Sequence, residues 1–302
     1  MNSVQRPALS GLLLAAAGAI AFSGKAIIVK LSYVYGVDAV TVIMYRMLFA
    51  LPFFIAMGLW AERQAIARAN PLTRRDVLNI MGLGFVGYYL SSYLDFLGLQ
   101  YITASLERLI LYLNPTLVVV LGWALYKKPI QPIRMLAMGV SYSGVLLVFA
   151  HELTLSGADV ALGSGLIFAS AVTYAMYLIF SGQMVNRIGS LRLVGWATSV
   201  ACVCCIAQFV LLRPLSAAHV PVDVLWLALL NALACTVAPV LMVMMAIERI
   251  GAALTAQTGM IGPMATIAMG VWVLNEPLNI WIGVGTLLVL SGVFIVSKYG
   301  AK

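Results

Sequence analysis

What most constrains this chain of 302 residues is a succession of apolar runs, each long enough to cross a bilayer. Ten such runs can be marked, at roughly 10–31, 38–59, 76–98, 102–125, 130–150, 162–185, 190–212, 222–247, 251–274 and 278–297. An α-helix rises about 1.5 Å per residue, so about 20 apolar residues cross a hydrocarbon core ~30 Å thick. Hydrophobic residues make up 63% of the chain and charged residues 9%, whereas soluble domains carry about 25% charge. Mean hydropathy is +1.03. Lipid leaves no water for backbone polar groups, so each run must satisfy its own hydrogen bonds as a helix. A β-barrel would instead show alternating segments of about 10 residues. The fold class is therefore an all-α polytopic membrane protein. The first run follows a single Arg6 and has no small-residue cleavage site after Gly24-Lys25, so it reads as a retained span.

The runs are not independent. Ala104-Ser105-Leu106-Glu107-Arg108 through Asn114-Pro115 recurs at an offset of 148 residues, with Ala104 on Ala252, Leu106 on Leu254 and Pro115 on Pro263. The frame continues with Gly122 on Gly270, Pro129 on Pro277, and Ser143-Gly144-Val145 on Ser291-Gly292-Val293. Repeats of five spans have an odd number of crossings, so the second must sit upside down relative to the first. The expected architecture is ten transmembrane helices as two inverted five-helix repeats, 1–150 and 151–302, around a central cavity in one integral membrane domain.

Charge placement sets the expected orientation. With the N-terminus inside, the inner segments hold Arg6, Arg63, Arg68, Arg74, Arg75, Lys127, Lys128, Arg134, Arg187, Arg192, Arg249, Lys298 and Lys302. The outer loops hold Arg213 alone, with Lys30 at a span edge. Both termini are thus expected in the cytoplasm, and the net charge of +8 serves membrane insertion, with no nucleic-acid partner implied. The cysteines Cys202, Cys204, Cys205 and Cys235 lie in apolar runs without metal or redox spacing and read as packing residues. His151 and His219 fall in outer loops. No catalytic constellation, metal site or cofactor is expected, and the chain does not read as an enzyme.

Asn114-Pro115 and Gly262-Pro263 mark mid-span breaks. A proline removes one backbone hydrogen bond and frees the carbonyl four residues earlier, which must find a partner or face a cavity. Pro115 and Pro263 are therefore expected as hinges or cavity walls. Five charges lie inside spans: Lys25, Arg46, Asp95, Glu107 and Arg108. Each costs roughly 2.5–3.5 kcal/mol near the bilayer centre unless paired or hydrated. A gate or ionic clasp is expected from Arg46, Asp95, Glu107 and Arg108, with Arg46 or Arg108 meeting Asp95 or Glu107. A static tie between spans and snorkelling side chains remain the plainer readings. Hydroxyls, amides and aromatic rings at mid-depth suit a pocket for an organic solute with amine and carboxylate ends. The expected lining is Tyr88, Ser92, Tyr112, Asn114, Tyr174, Tyr177, Asn231 and Gln257.

These features together resemble the drug/metabolite transporter superfamily, specifically its EamA-type members. The resemblance covers essentially the whole chain. It rests on Ala21-Phe22-Ser23-Gly24 with Lys30, Tyr45-Arg46, Leu97-Gly98-Leu99-Gln100-Tyr101-Ile102-Thr103-Ala104-Ser105-Leu106, Pro115, Asn275-Glu276-Pro277-Leu278 and Ser291-Gly292-Val293. One position departs: family members often carry Glu before the proline at 129, where this chain has Lys128. In length and in its Tyr-rich third span the chain is similar to the bacterial YddG type, which exports aromatic and other amino acids. The resemblance implies an exporter of amino acids or similar small metabolites, working by alternating access in a bacterial inner membrane. Its partners would be a small-molecule substrate and lipid, with the oligomeric state open and a monomer included. The competing readings are an importer or exchanger of another organic solute, of nucleotide-sugar or sugar-phosphate type, and a membrane scaffold or channel without transport.

Overall fold

The computed structural model describes residues 5–64, 70–127, 130–156, 158–259 and 261–299, and every regular element among them is helical. In chain order these are α1 (Gln5–Val34), α2 (Ala39–Glu62), α3 (Arg74–Gly98), α4 (Ala104–Leu111), α5 (Asn114–Tyr126) and α6 (Pro132–Ser156). There follow α7 (Ala158–Ile188), α8 (Ser190–Leu212), α9 (Val222–Ala232 continued through Leu233–Val237 into Ala238–Gly259), α10 (Gly262–Leu274) and α11 (Ile280–Tyr299). Among the described residues eight stretches are long and apolar enough to cross a membrane, and Gly262–Leu274 and Ile280–Ile295 are shorter apolar helices. The outer surface carries large apolar side chains: Trp272 is 86% exposed and Leu211 81%. That is the surface of a body solvated by lipid.

Successive spans run in opposite directions, α4 and α5 together making one, so the bundle has a near end, holding the start of α1, and a far end, holding Val34 and Ala104. At the far end Asp38 caps α2: its Oδ1 accepts from Val40 N at 3.0 Å and from Arg213 Nε at 3.1 Å. Burial opposes the Asp38 charge, but the Thr41 hydroxyl and Arg213 outweigh it and hold the carboxyl below the usual carboxylate range. At the near end Arg192 grips the Glu62 carboxylate with two nitrogens, and Arg187 reaches Asp76 at 2.7 Å.

The 148-residue offset reappears in the backbone. Lys127 and Asn275, both in left-handed conformation, terminate α5 and α10. Stretches of π-helix occur at Gly84–Leu90 in α3 and at Leu233–Val237 in α9. Equivalent helices also pack against each other antiparallel. A Cβ on Gly144 of α6 would lie 2.6 Å from the Gly285 carbonyl oxygen of α11, and one on Gly292 would lie 2.4 Å from that of Ala137. The 148-residue offset carries Gly144 onto Gly292 and Ala137 onto Gly285, so each contact is the counterpart of the other with the helices exchanged. On α2 and α8 the same sense holds, with Gly58 against Gly195 near one end and Met44 against Phe209 near the other.

Two expected connections are helical instead. The expected connection His151 to Ala161 is largely helix, because α6 runs on to Ser156 and α7 starts at Ala158; Glu152, buried there, is held by the Thr103 hydroxyl. The expected break between 247 and 251 keeps helical hydrogen bonding inside α9. The chain nevertheless reverses there: going from Cys235 to Ile250 it follows α1 from Gly24 back to Gly11, whereas Gly262 lies beside Ala19 and Ser23. Lys128 and Pro129 lie outside the described residues.

The expected mid-span breaks are present. Helix α4 ends at Leu111 and α5 opens with Pro115 in its first turn; α10 opens with Pro263 in the same way. Pro115 cannot donate to the carbonyl four residues back, Leu111 O, and Asn114 Nδ2 takes that acceptor at 2.7 Å. Pro263 likewise frees Gly259 O. The equivalent of Asn114 is Gly262, which has no side chain, and the Tyr112 hydroxyl donates to Gly259 O at 2.6 Å. Asn114→Ala and Tyr112→Phe should each strand a half-buried carbonyl and cost about 1–3 kcal/mol. The check is a lower thermal midpoint for each variant in detergent, while the other carbonyl keeps its partner.

Candidate functional site

Two features stand beside each other, a charge cluster in the far half of the bundle and a cleft on its near side. The first is a buried charge cluster. Lys25 of α1 hydrogen-bonds the Asp95 carboxylate of α3, and Glu107 Oε1 of α4 lies 3.1 Å from the same ammonium. The three residues are 6%, 3% and 0% exposed. Neither Glu107 oxygen makes a hydrogen bond, nor does Asp95 Oδ1. Glu107 sits in the first turn of α4, where the exposed N–H groups of a helix favour a carboxylate. The arrangement brings two carboxylates to one ammonium.

The expected pairing with arginine is not what forms. Arg46 donates from Nε to Thr236 Oγ1 at 2.9 Å and lies 5.1 Å from the centre of the Phe96 ring. Arg108 donates from Nε to Thr266 Oγ1 of α10 at 2.9 Å and from Nη2 to the Phe22 carbonyl of α1 at 3.2 Å. Adjacent residues on a helix point about 100° apart, so Glu107 and Arg108 serve different neighbours. The missed partner, Lys25, had one legible signal: it lies at a similar depth to Asp95 and Glu107 when each span is counted from its far end. Direction around the helix axis, which the sequence does not reveal, selected it over Arg46.

The second feature is a cleft of ≈ 320 Å³ between α1, α4, α9 and α10. Ala15, Gly18, Ala19 and Phe22 form its apolar wall, and Ser23, Tyr112, Thr255 and Arg108 add polar atoms. Among its described lining residues Arg108 carries the charge. A larger groove of ≈ 570 Å³ lies between α2, α3 and α8. It is lined by side chains such as Leu51, Ile55, Ile80 and Val203, and it opens where Ile55 and Met81 are already exposed. Without a charged lining residue it suits an acyl chain better than a polar solute.

A carboxylate closes the far side of the cluster. Glu276, from the link between α10 and α11, accepts from Ala104 N at 2.7 Å and Ser105 Oγ at 2.7 Å. It thereby caps α4 from the other half of the chain, where the helix N-terminus favours an anion. The Asn275-Glu276-Pro277 motif is visible in the sequence, but its target is not.

The expected lining residues fall in separate places. Tyr112 lines the cleft, and its hydroxyl is engaged by Gly259 O. Tyr88, Tyr174 and Tyr177 form an aromatic cluster between α3 and α7, with Tyr88 and Tyr177 ring centres 4.9 Å apart. Asn231 is buried on α9, its backbone carbonyl accepting from Thr236 Oγ1 at 2.9 Å. Asn114 turns back on its own helix, and Ser92 is half-buried on α3. Pro263 is buried and Pro115 exposed. The Gln257 side chain lies outside the described residues. Among the described residues, no three His, Cys, Asp or Glu side chains converge as a metal would require.

Lys25→Met removes the cation shared by two carboxylates. Breaking a buried ion pair in this way costs about 3–5 kcal/mol. The expected result is a large fall in thermal midpoint in detergent, partly restored when Glu107→Gln is added. Full additivity of the two substitutions would contradict the shared-ammonium arrangement.

Comparison with known proteins identifies the family and the fold. A Bacillus subtilis (strain 168) protein, the uncharacterized transporter YcbK, is 28% identical over 306 residues, covering 96% of this chain and 92% of its own. The uncharacterized transporter YyaM of the same organism is 25% identical over 243 residues, covering 76% and 78%. A solved crystal structure superposes with a TM-score of 0.59 at 15% identity, covering 95% of this chain and 96% of that one, and so shares the fold. Residues 9–150 and 161–298 each match the EamA-like transporter family, within the drug/metabolite transporter superfamily, and the chain belongs to that family as an integral membrane protein with a small-molecule substrate.

Proposed function

We propose that the protein exports amino acids, aromatic ones included, and related small metabolites by alternating access across a bacterial inner membrane. The observation that carries this reading is Arg108. The residue is only 8% exposed, and it borders a cleft whose other walls are apolar or hydroxyl-bearing. A buried guanidinium recognises a carboxylate through paired hydrogen bonds, and the apolar wall formed by Ala15, Gly18, Ala19 and Phe22 accepts a hydrocarbon or aromatic side chain. A sugar phosphate or nucleotide sugar would bring two or more negative charges to a cleft whose described lining residues carry a single cation, which disfavours that alternative.

Two halves, 1–150 and 151–302, act as inverted repeats in this reading. Support comes from the antiparallel packing of α6 on α11 and of α2 on α8, and from the left-handed Lys127 and Asn275. The near end is assigned to the cytoplasm on the distribution of Lys and Arg. The cleft runs along α1 from Ala15 to Ser23, on the near side of Lys25, while Glu276 ties α4 to the other half at the far end. That arrangement corresponds to an inward-open form, and opening to the outside would require Glu276 to leave the Ala104 and Ser105 donors.

Liposomes containing the purified protein and preloaded with an unlabelled amino acid should take up the labelled form by saturable counterflow. Arg108→Gln should raise the half-saturating concentration at least tenfold, equivalent to about 1.4 kcal/mol of lost binding. Absence of saturable counterflow for all twenty amino acids would overturn the reading.

A further inference from the structure

We infer that Glu107 is a proton-carrying site, taking up and releasing one proton in exchange for the solute bound beside Arg108. The inference rests on the transport reading above. Its starting point is a charge imbalance at close range. Lys25 faces both Asp95 and Glu107, and Asp95 holds the hydrogen bond. Glu107 is the most enclosed of the three, 0% exposed, and neither of its oxygens makes a hydrogen bond. A second buried carboxylate with no donor of its own is costly in a low-dielectric interior, and a proton removes most of that cost.

The other charges around the cluster are committed elsewhere. On the same helix Arg108 is bound to Thr266 and Phe22. From α2, Arg46 is bound to Thr236 and covers Phe96. From α1, Lys30 lies within electrostatic reach of Glu107, but with Glu276 and Glu152 as further neighbours. Glu276 is held on Ala104 and Ser105, and Glu152 on Thr103. Tyr33 donates to the Phe96 carbonyl. None of these groups supplies Glu107 with a hydrogen bond. The balance of the step is simple: a hydronium ion from the aqueous phase gives its proton to a Glu107 oxygen and leaves as water, giving a neutral acid beside an intact Lys25–Asp95 pair, and the reverse step returns it.

The link to the solute lies in α4. That helix has eight residues and is detached from α5 by the break at Tyr112 and Leu113. It is held at its far end by Glu276 and beyond its near end by the Tyr112 bond to Gly259. Glu107 and Arg108 occupy neighbouring positions on this short lever, about 100° apart. A carboxylate drawn to Arg108 displaces Thr266 or Phe22 as a partner, shifts α4, and so alters the distance from Glu107 to Lys25. Solute and proton then compete through one rigid element.

Two measurements test this. In proteoliposomes, accumulation driven by a pH gradient is compared with counterflow of the same amino acid at equal pH on both sides. For Glu107→Gln the ratio of the first to the second should fall at least tenfold relative to the unmodified protein. An unchanged ratio, or a fall produced by Asp95→Asn and not by Glu107→Gln, would overturn the proposal. Absence of counterflow in the unmodified protein would instead sink the transport reading. The second measurement needs neither variant nor solute: dicyclohexylcarbodiimide, which modifies protonated carboxyl groups in apolar surroundings, is applied to the membrane-embedded protein across a range of pH. Peptide mass spectrometry should find the adduct on Glu107, declining as pH rises. No adduct on Glu107 at acidic pH would refute a protonated site there, whether or not the variants fold.

Discussion

The fold depends on how two carbonyls are satisfied. In lipid no water is available for a backbone oxygen that a proline has deprived of its donor. Leu111 O, freed by Pro115, is taken by the neighbouring Asn114 amide. Gly259 O, freed by Pro263, has only a glycine in the equivalent place and is taken by Tyr112. The first solution is local. The second crosses the bundle, fixes the Tyr112 ring against the cleft, and ties the two broken helices together at mid-depth. Ser23 adds to the same junction by donating to Gly262 O at 2.8 Å, so α1, α4 and α10 meet where the chain is least regular.

The same economy governs the charges. Of the charges inside spans, Lys25, Asp95 and Glu107 share one cluster, whereas the two arginines donate to threonine hydroxyls and, for Arg108, to a carbonyl. Hydroxyl partners leave a guanidinium its full charge, which is the property a binding cation needs. Glu276 works differently. It offers a carboxylate to two backbone donors and one hydroxyl at the start of α4, a bond that can be broken and remade because both sides are also acceptable to water.

The two halves share a frame and differ in what hangs on it. Thr255 and Ala256 stand where the first half has Glu107 and Arg108; Gly262 stands for Asn114; Lys128 stands where the second half has Glu276. The first three differences remove a charge or an amide from the second half and the fourth reverses a charge, so the buried charges stand on α4 while the other half supplies caps and carbonyls. In the proposed cycle this makes α4 the moving part, and the two ends of the transporter need not open by the same mechanism.

Much of the fold is legible in the order of the amino acids, because apolar length and proline placement act locally. The helical class, the order of the spans, the 148-residue frame and the breaks at Pro115 and Pro263 all follow from backbone hydrogen bonding in lipid, which any stretch of chain must satisfy by itself. The site is less legible. Lys25 stands out as a charge inside a span, yet its choice by Asp95 and Glu107 depends on how α1, α3 and α4 are rotated about their axes, and packing of distant residues sets that rotation. Tyr88, Tyr174 and Tyr177 look like pocket residues by type but stack on one another, and the reach of Glu276 to Ala104 spans most of the chain. Sequence alone determined where this protein crosses lipid, where its helices must break and that Asn114 stands beside the first break; tertiary packing alone decided that Tyr112 answers the second break and Lys25 the buried carboxylates, because those partners come from helices remote in sequence.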